Sequence, residues 1–379
     1  MQTRPLLSTV TPVPFLDLGA VHDGLKADLL ADFSDLIDTG AFTNGPQVAE
    51  FEQAFAAYCA STHCVGLASG LDALRLALLA AGAEPEDEAV VPANTFVATL
   101  EAVTQAGCRP VVVDVTERDY NLDVTAAAAA IGSGTRFAIP VHLYGQMADM
   151  RSLAAVASTT GAIIVEDACQ AHGATRDGLR AGAVGRAGAF SFYPGKNLGA
   201  FGDAGALVTD DGPLAARVRA LREHGQTAKY RHEVEGWTAR LDTIQAIVLL
   251  RKLALLDEWN DRRRRAAAFY SSALEGIGDL ALPPVAPSSE PVWHLYVVRT
   301  GRREALANSL RERGIGTGYH YPQPVHLAPA YAGLGYRRGA FPVAEALAEE
   351  TLSLPIFPGI TEIQLESVVG AIADFFDGS

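Results

Sequence analysis

The stretch SFYPGKNLGAFGDAG, residues 191–205, sets one lysine, Lys196, between two apolar runs, Ala189–Phe192 and Ala206–Thr209. Gly195, Gly199, Gly202 and Gly205 make the intervening segment a turn, because glycine lets a backbone fold sharply and approach other groups closely. The flanks of Lys196 are Phe192, Tyr193, Pro194, Leu198 and Phe201 rather than polar residues. Such surroundings predict a partly desolvated amine, and burial lowers a lysine's pKa and makes it a nucleophile toward carbonyls. Ser191, five residues earlier, is placed to offer a hydroxyl to a phosphate while Lys196 reaches an aldehyde of the same ligand. A lysine snorkelling from a glycine-rich loop has the same local sequence. The surrounding segments decide between the two.

Outward from this loop, short apolar runs alternate with helical stretches. The other runs are Cys64–Leu67, Ala89–Val91, Pro110–Val115, Phe137–Val141 and Ala162–Val165, and the helical stretches include Leu71–Leu79, Ala98–Gln105 and Met150–Ser158. Val48, Phe51, Phe55 and Tyr58 recur at helical spacing in Gln47–Cys59. Continuous apolar strands separated by helices predict an α/β fold with a mostly parallel sheet of seven strands covered on both faces. Ligands of such sheets collect beyond the carboxyl ends of the strands, and each candidate described next follows one of the runs.

Ser69-Gly70-Leu71-Asp72 lies between a strand and a helix, where free amides open toward an anion such as phosphate. A serine-glycine turn that merely caps a helix reads the same way. Phe96, after the strand and turn VPANT, offers a ring to stack on a flat heteroaromatic group, although its position also suits the core. In AIIVEDACQAHG the strand ends in Glu166 and Asp167 with Gln170 three residues on. An acid at a strand end needs a cation or strong donors; a protonated pyridine nitrogen would serve, with Gln170 donating to a phenolic oxygen on that ring. The alternative is an acidic pair capping the following turn. His142, at the end of another run, reads equally as a hydrogen-bonded core histidine. Phosphate turn, stacking aromatic, acid for a ring nitrogen and amine for an aldehyde together describe a pocket for pyridoxal 5'-phosphate.

Composition narrows the partners. The chain has 379 residues, 49% hydrophobic and 20% charged, with a formal net charge of -14. It is too long for one ordinary core, which predicts two domains, and too apolar for a disordered chain. The negative charge argues against nucleic acid and anionic membrane surfaces, so an anionic ligand must be held by local amides and a few placed cations. Cys59, Cys64, Cys108 and Cys169 form no CxxC pair and no metal-ligand spacing, so they read as reduced thiols and no metal is expected. The start, MQTRPLLSTVTPVPF, does not read as a signal peptide, and no segment approaches the roughly 20 apolar residues of a membrane span. Cytoplasmic residence is the resulting expectation.

With these motifs in place, the sequence resembles the DegT/DnrJ/EryC1/StrS family of sugar aminotransferases. The likeness runs from FTNGPQVAEFE (42–52) through EDACQAHGA and SFYPGKNLGAFGDAGA to RLDTIQA (240–246), HYPQPVHLAPAY (320–331) and GAFPVAEALAEETLSLPIFP (339–358). It implies a fold-type I, aspartate aminotransferase-like architecture, with a large cofactor-binding domain over 1–260 and a smaller C-terminal α/β domain over 261–379. It further implies that Lys196 forms the Schiff base with pyridoxal 5'-phosphate and shuttles the proton. Asp167 would bind the pyridine nitrogen, Gln170 the ring hydroxyl and Phe96 the ring face, while Gly70, the amide of Leu71 and Ser191 hold the phosphate. L-Glutamate is the implied amino donor, a sugar nucleotide the acceptor, and a homodimer with the active site at its interface the implied assembly.

Two departures from the family pattern refine this. Leu71 stands where many relatives have threonine, and the SGLDAL-like turn resembles the subgroup that aminates carbon 3 of dTDP-3-keto-6-deoxyhexoses. Thr238 stands where the family commonly has an asparagine that crosses to the neighbouring subunit's phosphate site. The same subgroup implies sugar-nucleotide contacts from Tyr193, Lys229, His320 and Tyr321, with Lys229 as counter-charge for a diphosphate. Amination at carbon 4 or of a cyclitol ketone, and a cofactor-binding sensor without turnover, are the alternatives. Arg262–Arg265 read as a solvated helix face or an interdomain cover, and Ala281–Pro291 as a loop.

Overall fold

Each of the seven apolar runs supplies one strand of a single sheet in the computed structural model, which describes residues 12–378. The strands are β1 (His63–Leu67), β2 (Glu88–Pro92), β3 (Arg109–Val113), β4 (Thr135–Ala138), β5 (Ile163–Asp167), β6 (Ala187–Ser191) and β7 (Gly205–Thr209). Their order across the sheet is β1-β7-β6-β5-β4-β2-β3. Only β7 runs antiparallel, to β1 on one side and β6 on the other. The reading of the amino-terminal stretch as lacking a signal peptide concerns residues that lie mostly outside those described.

Boundaries shift where a residue's chemistry interrupts or extends a ladder. β4 stops at Ala138 because Pro140 has no N–H to give, although Ile139 still donates to the Val90 carbonyl at 2.8 Å. β6 begins two residues before the apolar run. Gly188 sits in the ladder because a Cβ there would lie 2.2 Å from the Gly182 carbonyl oxygen, a crossing only glycine allows.

Side chains along each strand alternate between two cores. Val65 and Leu67, Ala89 and Val91, Phe137 and Ile139 face one; Cys64, Val90, Ala138, Phe190 and Val208 face the other. Period-two alternation with both faces apolar is what a sheet covered on both sides requires. The main helices are α1 (Lys26–Thr39), α2 (Pro46–Tyr58), α3 (Gly70–Ala80), α4 (Ala98–Gln105), α5 (Met150–Thr160), α6 (Gly212–Arg222), α7 (Thr243–Leu253) and α8 (Leu256–Ala273). Proline at the first position of α2 starts that helix one residue before the sequence reading.

A further core gathers Tyr270, Tyr296, Val298, Leu306, Leu310, Leu354, Val368 and Ile372. It is built on the antiparallel pair β8 (Tyr296–Arg299) and β9 (Thr351–Leu354), with α9 (Arg303–Glu312) and α10 (Glu362–Asp377). Helix α8 is continuous through residues 260 and 261. Its first turns pack Leu256 and Trp259 on the large body, whereas Ala266, Ala267 and Tyr270 enter this further core. Val13 also packs there, its N–H bonded to the Gly314 carbonyl. Among the described residues no helix is long and apolar enough to cross a membrane.

Candidate active site

The segment after β6 folds back on itself before entering β7. Phe192 N–H donates to the Ala204 carbonyl and Ala200 N–H to the Phe192 carbonyl, both at 2.7 Å, and Lys196 N–H donates to the Tyr193 carbonyl at 2.8 Å. From α7 the buried Lys252 donates Nζ to the Gly199 carbonyl at 2.6 Å and lies 4.8 Å from the Phe201 ring centroid. Burial pulls the pKa of Lys252 down to about 8. The turn carrying Lys196 is thus fixed by its own backbone and by a second lysine beneath it.

Lys196 emerges on the wall of a cavity of about 460 Å³ at the carboxyl ends of β5 and β6. Burial lowers its pKa; the nearby Cys169 and Asp167 oppose the shift. A lowered pKa leaves more of the amine neutral and nucleophilic at a given pH. The half-buried lysine agrees with the sequence expectation of a partly desolvated amine.

The start of α3 lines the same cavity. Ser69 is its N-cap, accepting from the Asp72 N–H at 3.1 Å, which leaves the first amides of the helix at its open end. A methyl group on Gly70 would meet Cys169 Sγ at 2.7 Å and Ser191 Cβ at 2.8 Å, so glycine brings the helix start against β6. Gly70, Leu71 and Ser191 therefore line the cavity together.

The two acids at the end of β5 face different surroundings. Glu166 is fully buried away from the cavity, accepting from the N–H groups of Gly182, Val184 and Gly185 and pairing with His142 Nε2 at 2.8 Å. His142 Nδ1 accepts from Ala148 N–H, so its proton is on Nε2 and the ring is a hydrogen-bonded core histidine. Asp167 faces the cavity with neutral donors only: Thr99 Oγ1 at 2.8 Å and the Cys169 N–H at 3.2 Å.

Gln170 Oε1 accepts from the Tyr144 N–H at 2.7 Å, which turns Nε2 to the Tyr321 hydroxyl at 3.1 Å. One Nε2 hydrogen remains for a ligand. Phe96 is 52% exposed and its centroid lies 5.4 Å from that of Tyr321, so it walls the cavity rather than filling the core. Tyr193 and His320 also line the cavity. His320 Nδ1 pairs with Ser353 Oγ at 2.8 Å, and burial with the charge of Lys196 brings its pKa to about 4.

Two sequence-derived residues do not reach this cavity within the chain. Lys229 is exposed in the turn joining the short strands Gln226–Ala228 and Arg231–His232, and Thr238 is exposed with its hydroxyl paired to His224 Nε2 at 3.0 Å. Residues that sequence reading passed over also line the site: Thr95, Thr99, His294 and Arg263. The i,i+4 pair of threonines in NTFVAT was the available signal for the first two. For Arg263 the four-arginine run concealed the one that turns inward.

Residues 24–373 match the DegT/DnrJ/EryC1/StrS aminotransferase family. The chain is 49% identical over 363 residues to the dTDP-3-amino-3,4,6-trideoxy-alpha-D-glucose transaminase of Streptomyces venezuelae, covering 96% of each protein. The solved structure of S. venezuelae DesV in complex with a ketimine intermediate aligns with a TM-score of 0.94 at 48% identity, covering 97% of this chain and 99% of that one. NtdA from Bacillus subtilis with bound cofactor PMP aligns with a TM-score of 0.89 at 29% identity, covering 97% and 85%.

Proposed function

The chain belongs to the DegT/DnrJ/EryC1/StrS aminotransferase family, and from that premise we propose that it aminates carbon 3 of a dTDP-linked 3-keto-6-deoxyhexose, with pyridoxal 5'-phosphate as cofactor and L-glutamate as donor. One observation carries the reading: the half-buried Lys196, its amine desolvated, and the carboxylate of Asp167 share a cavity with the Gly70–Ser191 cradle.

The residues fit the cofactor in kind and placement. The open amides at the start of α3 and the Ser191 hydroxyl suit a phosphate. Asp167, held by neutral donors alone, is free to take the charge of a pyridinium N–H. The spare Gln170 hydrogen suits the ring hydroxyl, and the exposed face of Phe96 suits the ring itself. When bound, the cofactor supplies an aldehyde that accepts amines and a ring that withdraws electrons. Lys196 Nζ, kept partly neutral by burial, is the base that takes and returns a proton beside the reacting carbon. His320, held neutral, offers its remaining nitrogen to a sugar hydroxyl, and Tyr321 and Tyr193 their hydroxyls.

A homodimer completes the site in this reading. Ile37, Phe42 and Ile244 are exposed apolar residues around one groove, which suits a self-complementary contact. Lys229 and Thr238 of one protomer then reach the cavity of the other, Lys229 toward the diphosphate and Thr238 toward the phosphate. We assign residues 1–260 to the cofactor-binding domain and 261–379 to the smaller one, and place the enzyme in the cytoplasm, where sugar nucleotides are made.

The test is amination of 3-keto and 4-keto dTDP-sugars by the purified holoenzyme. Yellow protein bleached by L-glutamate, followed by conversion of the 3-keto substrate alone, is the expected result. Turnover of the 4-keto substrate instead moves the reaction to carbon 4, and colour without turnover makes the protein a sensor.

A further inference from the structure

Arg263 is 3% exposed, yet no carboxylate among the described residues pairs with it. Its Nη1 donates to three backbone carbonyls, those of Trp293 at 3.2 Å, His294 at 3.3 Å and Ile356 at 2.9 Å. Nε is buried without a partner, and Nη2 bonds to no described residue. Burial pulls its pKa down with no acid beside it to oppose the shift. A guanidinium enclosed without a counter-charge is costly, and the cost is relieved when an anion arrives.

The same arginine lines the cavity that contains Lys196. Those two are the only basic side chains on its described wall apart from histidines, and burial keeps His294 and His320 neutral, with pKa values well below the ordinary range and about 4. Lys196 is the reactive amine. Arg263 is therefore the one permanent cation the chain itself supplies next to it.

Resting on the aminotransferase reading above, we infer that Arg263 is the binding residue for the α-carboxylate of the amino donor. That carboxylate is one bond from the carbon that gives up the amino group, so it must lie within a few ångströms of the atoms Lys196 serves. The diphosphate of a sugar nucleotide is several bonds from the keto carbon at position 3, and its counter-charge belongs farther out. An edge of guanidinium with unused N–H donors is the partner a carboxylate selects. The acceptor sugar carries no carboxylate at that place. Arg263 thus distinguishes the two substrates that must alternate in one cavity.

The experiment compares the wild-type holoenzyme with Arg263→Met and Arg263→Lys. Loss of the cofactor's yellow band on titration with L-glutamate gives an apparent Kd for the donor, and competition gives one for dTDP. Arg263→Met should weaken L-glutamate by about 10- to 100-fold, as expected for loss of a charge-assisted pair, with dTDP affinity unchanged and Arg263→Lys intermediate. Both variants must retain the yellow band, which reports a folded, loaded protein. Equal weakening of L-glutamate and dTDP, weakening of dTDP alone, or no change in either overturns the assignment. If L-glutamate and other amino acids leave the wild-type band untouched, the aminotransferase reading itself is what fails.

Discussion

The hydroxyl of Thr99 donates to Oδ2 of Asp167 at 2.8 Å, while Oδ1 takes the Cys169 N–H at 3.2 Å. Thr99 is paired in turn with Thr95 Oγ1 at 2.8 Å. Thr95 in the bend before α4 and Thr99 in its first turn hold the carboxylate with neutral hydroxyls, and in the proposed reading its charge then remains available to the ring nitrogen. Thr99→Val removes the donor and keeps the shape. It should weaken retention of pyridoxal phosphate by about 10-fold, as hydrogen bonds to charged groups do, while Thr99→Ser stays within threefold or so. Equilibrium dialysis of the cofactor, read by absorbance, measures both.

Neighbouring acids should fail in opposite ways. Glu166 closes three amides and His142 inside the protein, so Glu166→Gln sets an N–H₂ against other donors. A loss of about 3 kcal/mol in unfolding free energy is expected, with cofactor binding retained in the molecules that remain folded. Asp167→Ala should leave the thermal transition of the apoprotein nearly unchanged and abolish stable cofactor binding. Denaturant titration of the apoproteins and the absorbance of the reconstituted forms separate the two effects.

That contrast also marks how far the sequence could be read. Seven apolar runs located seven strands, since strands buried on both faces must be continuously apolar, and of the candidates after them Gly70, Leu71, Phe96, Asp167, Gln170, Ser191 and Lys196 line one cavity while His142 and Glu166 turn into the core. Which acid of the Glu166-Asp167 pair faces the ligand is a matter of strand alternation; the residue-level reading left it open, and the family resemblance pointed to Asp167. Arg262 to Arg265 illustrate a different limit. Arg262 and Arg265 are exposed and Arg263 is buried, a difference set by helix phase against two bodies packed on α8, which four identical side chains cannot reveal. The C-terminal core was barely legible, because its two strands are separated by more than fifty residues, pair with each other and gain only single bridges, from Ala281 to Arg299 and from Gly318 to Ser353.

Acid should destabilise the protein through a histidine that touches no ligand. His172 is fully buried between Phe190 and Phe192, neither ring nitrogen has a hydrogen bond of good geometry, and burial with the charge of Lys196 lowers its pKa to about 3. The unfolded chain takes up a proton at the ordinary histidine value, whereas the folded one does not. Stability is therefore complete above about pH 6.5 and is lost as pH falls toward 3. In His172→Phe the loss of unfolding free energy between pH 7 and pH 5 should be smaller by about 2 kcal/mol. Denaturant titrations at the two pH values give the difference directly.

The subunit arrangement has an arithmetic consequence. Lys196 lines the cavity of its own chain, and Lys229 lies outside that lining in an exposed turn. If a twofold dimer places Lys229 in the opposite cavity, a heterodimer of Lys196→Ala with Lys229→Ala collects both substitutions in one site and leaves the other intact. Random reassembly of equal amounts makes half of the dimers mixed, each with one working site, so activity should recover to about a quarter of wild type from two inactive or nearly inactive parents. With Lys229 serving its own chain, every site in the mixture carries one lesion and no recovery occurs. Unfolding and refolding the two variants together, then assaying keto-sugar amination against each parent refolded alone, decides between the arrangements, and a mixture no more active than its parents would rule out the crossed one.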